Sequence, residues 1–220
     1  WLTEAGWVLQ GISPNGQQAA LVSRGAAHNV AIVADLTNAE RRVELRGAQN
    51  PRGMVFSANG DFIACGSDTQ DGVTVWNRAG QVVRKLETGD AAVAAFDPLG
   101  RWLITGTRHG YRAWKFGTWE EGPHLDAGNG NIETPAVVFS PKGDFVAALN
   151  PGGNISVFGG GQCERLAMLE APFAIAPEFL HVSADGRWLT AEGTDQTIQR
   201  WNLNALREEL AQLGLDWATN

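Results

Sequence analysis

The chain has 220 residues, of which 44% are apolar and 19% charged, which is ordinary for one folded domain. The net charge of −7 repels a phosphate backbone and argues against nucleic-acid binding. No apolar run approaches the roughly 18 residues of a membrane span, and no signal peptide is visible. The cytoplasm is therefore the favoured location, although the two cysteines leave the redox compartment open.

Five segments follow one another with the same pattern: a short strand, a turn that ends in glycine, and two further strands. Successive turn glycines are 40 to 44 residues apart, at Gly16, Gly60, Gly100, Gly143 and Gly186. Propeller blades repeat about every 40–45 residues. The pattern predicts an all-β protein, a β-propeller with five recognisable four-stranded blades.

The clearest copy runs from Phe96 to Trp114. Pro98-Leu99-Gly100 is a turn, because proline restricts φ and glycine accepts a positive φ. The β-favouring residues that follow predict a second strand over 101–107, and a turn at 108–110 leads into a third strand. An antiparallel meander of this kind must pack against a neighbour to bury both of its faces.

Alternating segments at 41–45, 81–86, 119–125 and 165–169 predict outer strands, and Trp7 to Ser13 predicts the first inner strand. The glycine run 159–161 predicts a hairpin turn. After Trp201-Asn202, leucines at helical spacing predict a short amphipathic helix instead of an outer strand. We expect Asn204 to cap it, Gly214 to end it and its apolar face to lie on the propeller. The predicted division is 1–202 for the blades and 203–220 for helix and tail.

The segments FSANGDFIACGSDTQDGVTVWN (56–77) and FSPKGDFVAALN (139–150) resemble the WD40-repeat family. The resemblance covers about residues 7–202 and implies blades that close with a Trp-Asp pair. Here the closing positions carry Trp76-Asn77, Trp201-Asn202, Trp114 alone, Ala34-Asp35 or Phe158. The family's Gly-His dipeptide is missing, since Gly47-Ala48, Gly89-Asp90 and Gly128-Asn129 occupy the junctions. The family's buried Asp-His-Ser-Trp network therefore lacks its histidine.

The tail resembles the C-terminal end of WD40 regions in bacterial serine/threonine protein kinases and related large bacterial proteins. The similarity lies in Leu206 to Leu210 and Leu213 to Trp217. No kinase motif is present in the 220 residues, so any kinase domain would precede Trp1.

The sequence contains no catalytic motif, and we expect neither enzymatic activity nor a cofactor. The histidines lie in four different repeats, at His28, His109, His124 and His181, and no metal site is expected from them. Cys65 and Cys163 are about two blades apart, so we expect no disulfide between them. Glu120 and Glu121 are adjacent on a strand and point to opposite faces, which favours solvated side chains.

Two function classes remain open. The favoured one is a non-catalytic interaction scaffold that binds a protein or peptide partner through blade-connecting loops, which rests on the family resemblance. The alternative is an enzyme or small-ligand propeller with its site in the central channel. The predicted partner-binding residues lie in loops after the second strands: Arg24, His28, Asp68, Asp71, Arg108, His109 and Asp195.

The sequence also leads to an expectation about the number of blades in the propeller. WD40 propellers are most often seven-bladed, and a propeller that does not close leaves apolar faces in water. Trp1 to Gly6 belongs to no complete repeat, and the fifth repeat lacks an outer strand. We expect the chain to be the C-terminal part of a larger propeller that lacks about two blades and self-associates when made alone. The alternatives are a closed five-bladed ring and a ring completed by two chains.

Overall fold

A computed structural model describes residues 6–23, 30–38, 40–47, 50–170 and 177–214. They form an all-β propeller of five antiparallel blades followed by one short helix. No helix among these residues is long and apolar enough to cross a membrane.

The strands follow the predicted order, blade by blade. The first blade contains β1 (Trp7–Ile12), β2 (Gln18–Ser23), β3 (Val30–Asp35) and β4 (Arg42–Glu44). The second contains β5 (Pro51–Phe56), β6 (Phe62–Ser67), β7 (Val73–Asn77) and β8 (Val82–Leu86). The third contains β9 (Val93–Phe96), β10 (Trp102–Thr107), β11 (Gly110–Lys115) and β12 (Glu121–Leu125).

The remaining strands form the last two blades. The fourth blade contains β13 (Val137–Phe139), β14 (Phe145–Leu149), β15 (Ile155–Gly159) and β16 (Arg165–Leu169). The fifth contains β17 (Pro177–Val182), β18 (Trp188–Gly193) and β19 (Ile198–Asn202), which are the three strands described for it. The first strands contact one another in the order β1, β5, β9, β13 and β17, so they line the central axis. Whether further blades precede Trp1 stays a prediction.

In each blade a tight turn of the same kind connects the first strand to the second. All five turn glycines adopt a left-handed φ of 69–73°, which glycine accepts without steric cost. In the second blade the Ser57 hydroxyl donates to Asn59 Oδ1 at 2.7 Å and accepts from the amide of Phe62 at 3.0 Å. Serine at the corresponding position of the first and fifth blades makes the same two bonds. The repeated sequence pattern therefore encodes a repeated hydrogen-bonded turn.

Large aromatic residues at the end of the third strand of several blades are buried between neighbouring blades. Trp76 and Phe158 are fully buried and Trp114 nearly so, whereas Trp201 in the last blade is only partly buried. Trp76 Nε1 donates to the carbonyl of Arg46 at 2.9 Å. The closing aromatic residues of the second, third and fourth blades therefore belong to the buried core.

Hydrogen bonds of Arg101 join the third and fourth blades at the end where a turn connects the first strand of each blade to the second. The carboxylate of Asp97 has no solvent exposure and forms a bidentate pair with Arg101, Nε to Oδ2 at 2.5 Å and Nη2 to Oδ1 at 3.1 Å. Arg101 Nη2 also donates to the carbonyl of Gly143 at 2.6 Å. The pair with Asp97 raises the pKa of Arg101. Because the fully buried carboxylate is paired, its burial is tolerated.

The helix α1 (Leu203–Gln212) has its N-cap two residues earlier than predicted. Asn202, not Asn204, caps it, because its extended backbone lets its Oδ1 accept from the amide of Ala205 at 3.1 Å. Leu203 is buried, but Leu213 is 72% exposed. The leucine face therefore contacts the blades at the start of the helix, through Leu203 and Leu206, whereas Leu213 at the C-cap lies in solvent.

Candidate functional site

The structure places the described candidates in turns at one end of the blades, where second strands lead into third strands. Asp68 and Asp71 lie between β6 and β7, Arg108 and His109 between β10 and β11, and Asp195 between β18 and β19. Arg24 and His28 lie outside the described residues.

Arg108 and His109 are brought together by a residue that the sequence did not assign to the site. Arg108 Nε lies 2.7 Å from Asp90 Oδ2, and His109 Nε2 lies 3.5 Å from the same oxygen. Asp90 belongs to the loop that joins the second blade to the third, and only 17% of its side chain is exposed. Its other oxygen, Oδ1, accepts from the amide of Ala91 at 2.8 Å. One carboxylate oxygen of Asp90 therefore lies beside two exposed side chains across a blade junction, in ion-pair contact with Arg108 and 3.5 Å from His109, and it accepts no hydrogen bond from the described residues.

The other described candidates engage local partners instead. Asp68 Oδ1 pairs with Arg52 at 3.1 Å. Asp71 accepts a hydrogen bond from the hydroxyl of Thr69. Asp195 accepts from the hydroxyl and the amide of Thr197, and these bonds lower the pKa of Asp195.

A groove of about 370 Å³ begins beside His109. Thr88, in the loop that joins the second blade to the third, and residues of β10 to β12 form its walls, including Arg112 and His124. Glu121 Oε1 holds both of these side chains at 3.0 Å, Arg112 through Nε and His124 through Nε2. Glu121 was predicted to be solvated. It remains about half exposed, but it also orders the groove wall.

Sequence reasoning missed Asp90, Arg112 and His124. The strand pattern contained part of the signal, because Arg112 lies directly opposite His124 in the β11–β12 ladder. Cross-strand neighbours on one face interact, so a correct register would have paired them. Asp90 follows Gly89 at the junction between the second and third blades, and its contact with His109 crosses from that junction to the turn after β10. Trp114 Nε1 donates to Thr105 Oγ1 at 2.9 Å inside the same blade.

The inner strands enclose a second cavity, of about 660 Å³, at the same end of the propeller. Residues from all five blades line it, with Leu9 and Phe179 among the apolar ones and Arg52, Asp68 and Glu178 as its charged ones. Another cavity of about 390 Å³ follows towards the far ends of the inner strands and is largely apolar. The axis therefore contains a mixed polar and apolar cavity at the mouth that carries Arg52, Asp68 and Glu178, and a more apolar cavity beyond it.

Neither cysteine has the character of a nucleophile. Both are free and buried, and burial raises the pKa of Cys65 to about 12 and that of Cys163 to about 11. Within the described ranges, no three His, Cys, Asp or Glu side chains come close enough to hold a metal ion.

The geometry defines a class, a β-propeller with ordered polar side chains at one end of its blades. The sequence matches no protein-family model and no curated protein. Propellers serve many functions, so the function must be argued from the site.

Proposed function

We propose that the chain is a non-catalytic interaction module of the WD40 type that binds a protein or peptide through the loops carrying Arg108 and His109. The tail's resemblance to WD40 regions of bacterial serine/threonine kinases supports a place in a signalling protein. The net charge of −7 favours a protein partner over a nucleic acid.

One observation carries the proposal: two exposed side chains, Arg108 and His109, lie against the same carboxylate oxygen of Asp90. The side chains of Arg108 and His109 are 58% and 63% exposed, yet both reach one carboxylate oxygen of Asp90. A side chain that is already ordered loses less conformational entropy on binding. Arginine is also enriched among residues that dominate interface energies. The adjoining groove offers space for a segment of the partner.

The alternative, an enzyme or small-ligand site in the channel, has weaker support. A catalytic site needs ionisable groups that act together on a substrate. Among the described cavity residues, Asp68 is already paired with Arg52, and Glu178 is the remaining charged group. Among the described lining residues, Glu178 therefore has no second unpaired ionisable group beside it with which to share acid–base chemistry.

The test is affinity for a partner isolated with the 220-residue chain as bait. Replacing both Arg108 and His109 with alanine should weaken binding by isothermal titration calorimetry by at least about tenfold, as expected for loss of an interface anchor. Asp90→Asn keeps both basic side chains but removes the anchoring charge, and should give an intermediate loss. Arg78→Ala, in the turn between β7 and β8 at the opposite end of the second blade, is the matched control. An unchanged affinity in the double variant would refute the proposed site.

A further inference from the structure

A small cavity of about 160 Å³ lies at the turn between β14 and β15 of the fourth blade. One wall belongs to this turn, and the other belongs to the loop 131–134 that arrives from the third blade. Pro177, the first residue of β17, also lines the cavity. Gly152 and Gly153 in the turn have a left-handed φ of 83° and 86° and no side chain that would fill the space.

Hydrogen bonds hold the loop that forms one wall of the cavity. The amide of Ile132 donates to the carbonyl of Arg108 at 2.8 Å. Further along, the Tyr111 hydroxyl donates to the carbonyl of Ala136 at 3.0 Å and accepts from the amide of the same residue at 3.2 Å. The loop is therefore fixed at two points, and a preformed cavity costs less conformational entropy when a ligand enters.

The side chain of Asn150 lacks one hydrogen bond. Asn150 lines the cavity but is only 6% exposed. Its Nδ2 donates to Ser156 Oγ at 2.9 Å, whereas the buried Oδ1 has no partner among the described residues. Buried polar atoms in proteins are nearly always hydrogen-bonded. Because an amide oxygen only accepts, the group that completes this site must be a donor.

The rest of the lining selects the kind of donor. Glu133 carries the one charge among the described lining residues, and it is exposed and pairs with no cation there. Ile132, Leu149 and Pro177 are buried apolar residues in the walls. A positive donor on an apolar stem fits all of these features, because charge strengthens the hydrogen bond and methylene groups pack along apolar surface. Calcium fits less well, since it takes 6–8 oxygen ligands, usually with several carboxylates.

We propose that this cavity binds an alkylammonium group of the kind that ends a lysine side chain. The ammonium donates to Asn150 Oδ1 and its charge faces Glu133, while the methylene stem contacts Ile132 and Leu149. This site goes beyond the proposed function, because it uses neither the Arg108 nor the His109 side chain. A lysine of a polypeptide and a free small amine share this chemistry, and the experiment separates them.

The experiment is an NMR titration of the isotope-labelled 220-residue chain at neutral pH, where alkylamines are protonated. The probes are N-acetyl-lysine methylamide and n-butylamine. N-acetyl-norleucine methylamide has the same stem without the ammonium, and calcium chloride is the competing cation. We expect the amines to shift the amide signals of Gly152 and Gly153 and the side-chain amide signal of Asn150, with millimolar affinity. The norleucine probe should bind about tenfold more weakly or less. Blocked lysine that binds about threefold more tightly than butylamine indicates a polypeptide, and equal affinities indicate a free amine.

Variants of the protein locate the ammonium. Glu133→Gln should weaken both amines by about threefold, because an exposed charge contributes modestly. Asn150→Asp should tighten both amines by about threefold or more and leave the norleucine probe unchanged, which a purely structural role of Asn150 would not produce. Glu40→Gln is the matched control, since Glu40 is exposed between β3 and β4 at the opposite end of the first blade. The melting temperature of each variant shows whether it is folded, and Glu133→Gln at an exposed position tests the site even if Asn150→Asp does not fold.

Three results would overturn the inference. The norleucine probe may bind as tightly as blocked lysine, calcium may shift the same signals at lower concentration than the amines, or no probe may shift them. Amine affinities that Glu133→Gln leaves at the level of Glu40→Gln would also overturn it. None of these results bears on Arg108 and His109, whose role is judged separately by the effect of their double variant on the isolated partner.

Discussion

Replacing Phe158 with alanine should remove a large part of the stability of the propeller. The side chain has no solvent exposure and belongs to the buried cluster that spans the third to fifth blades. A buried aromatic side chain covers about 150–250 Å², which at about 25 cal/mol per Å² corresponds to about 4–6 kcal/mol. Measured Phe→Ala losses of about 3–5 kcal/mol agree with this range. Since domains are stable by about 5–15 kcal/mol, the variant should be close to unfolding.

Urea denaturation followed by tryptophan fluorescence measures this loss as a change in the free energy of unfolding. Trp201→Ala removes the aromatic residue at the same position of the fifth blade, where it is only partly buried, and should cost less. Leu99→Ala, in an exposed turn, should lie within about 0.5 kcal/mol of the unmodified chain. If Phe158→Ala costs no more than Leu99→Ala, the inter-blade burial is wrong.

Two further predictions concern single turns. Gly160→Ala should destabilise the chain by about 1–3 kcal/mol in the same assay, because a Cβ there would lie 1.9 Å from the backbone oxygen of Gly143. Gly161→Ala, whose Cβ would come no closer than 3.7 Å to its neighbours, is the control, and equal losses would contradict this reasoning. Thr197→Ala should raise the pKa of Asp195 towards its ordinary value by NMR titration, while Thr197→Ser keeps the hydroxyl and the low pKa. A lowered pKa stabilises the fold above the unfolded-state pKa, and that contribution disappears as the pH falls through the folded-state pKa, so Thr197→Ala should lose stability at neutral pH and not in strong acid.

The strand order could be predicted because its causes are local. Each first turn needs only a hydroxyl or carboxylate at its start and a glycine that accepts a positive φ, and both are visible in the sequence. The start of the outer strand in the third blade could not be predicted from local sequence. It begins at Glu121 and not at Trp119, because Trp119 adopts a φ of 59° and turns its ring into a buried cluster with Phe62 and Phe116.

The candidate site was predicted only in part because its contacts cross between elements. Arg108 and His109 could be assigned to an exposed turn, but their link to Asp90 depends on how the second blade docks against the third. The groove wall depends on the register of β11 with β12, which a bulge shifts between Arg112 and Trp114. Neither the docking nor the bulge has a local sequence signal.

Buried clusters join each blade to its neighbours, and this arrangement determines which parts of the molecule open together. Among the described residues, one cluster joins the first blade to the second, and another joins the second to the third. A further cluster connects the third, fourth and fifth blades. In such quasi-one-dimensional arrays each unit gains stability mainly from its nearest neighbours. Local opening should therefore expose amides blade by blade, and a ligand held in the groove between the second and third blades should slow amide exchange there while leaving β18 unchanged.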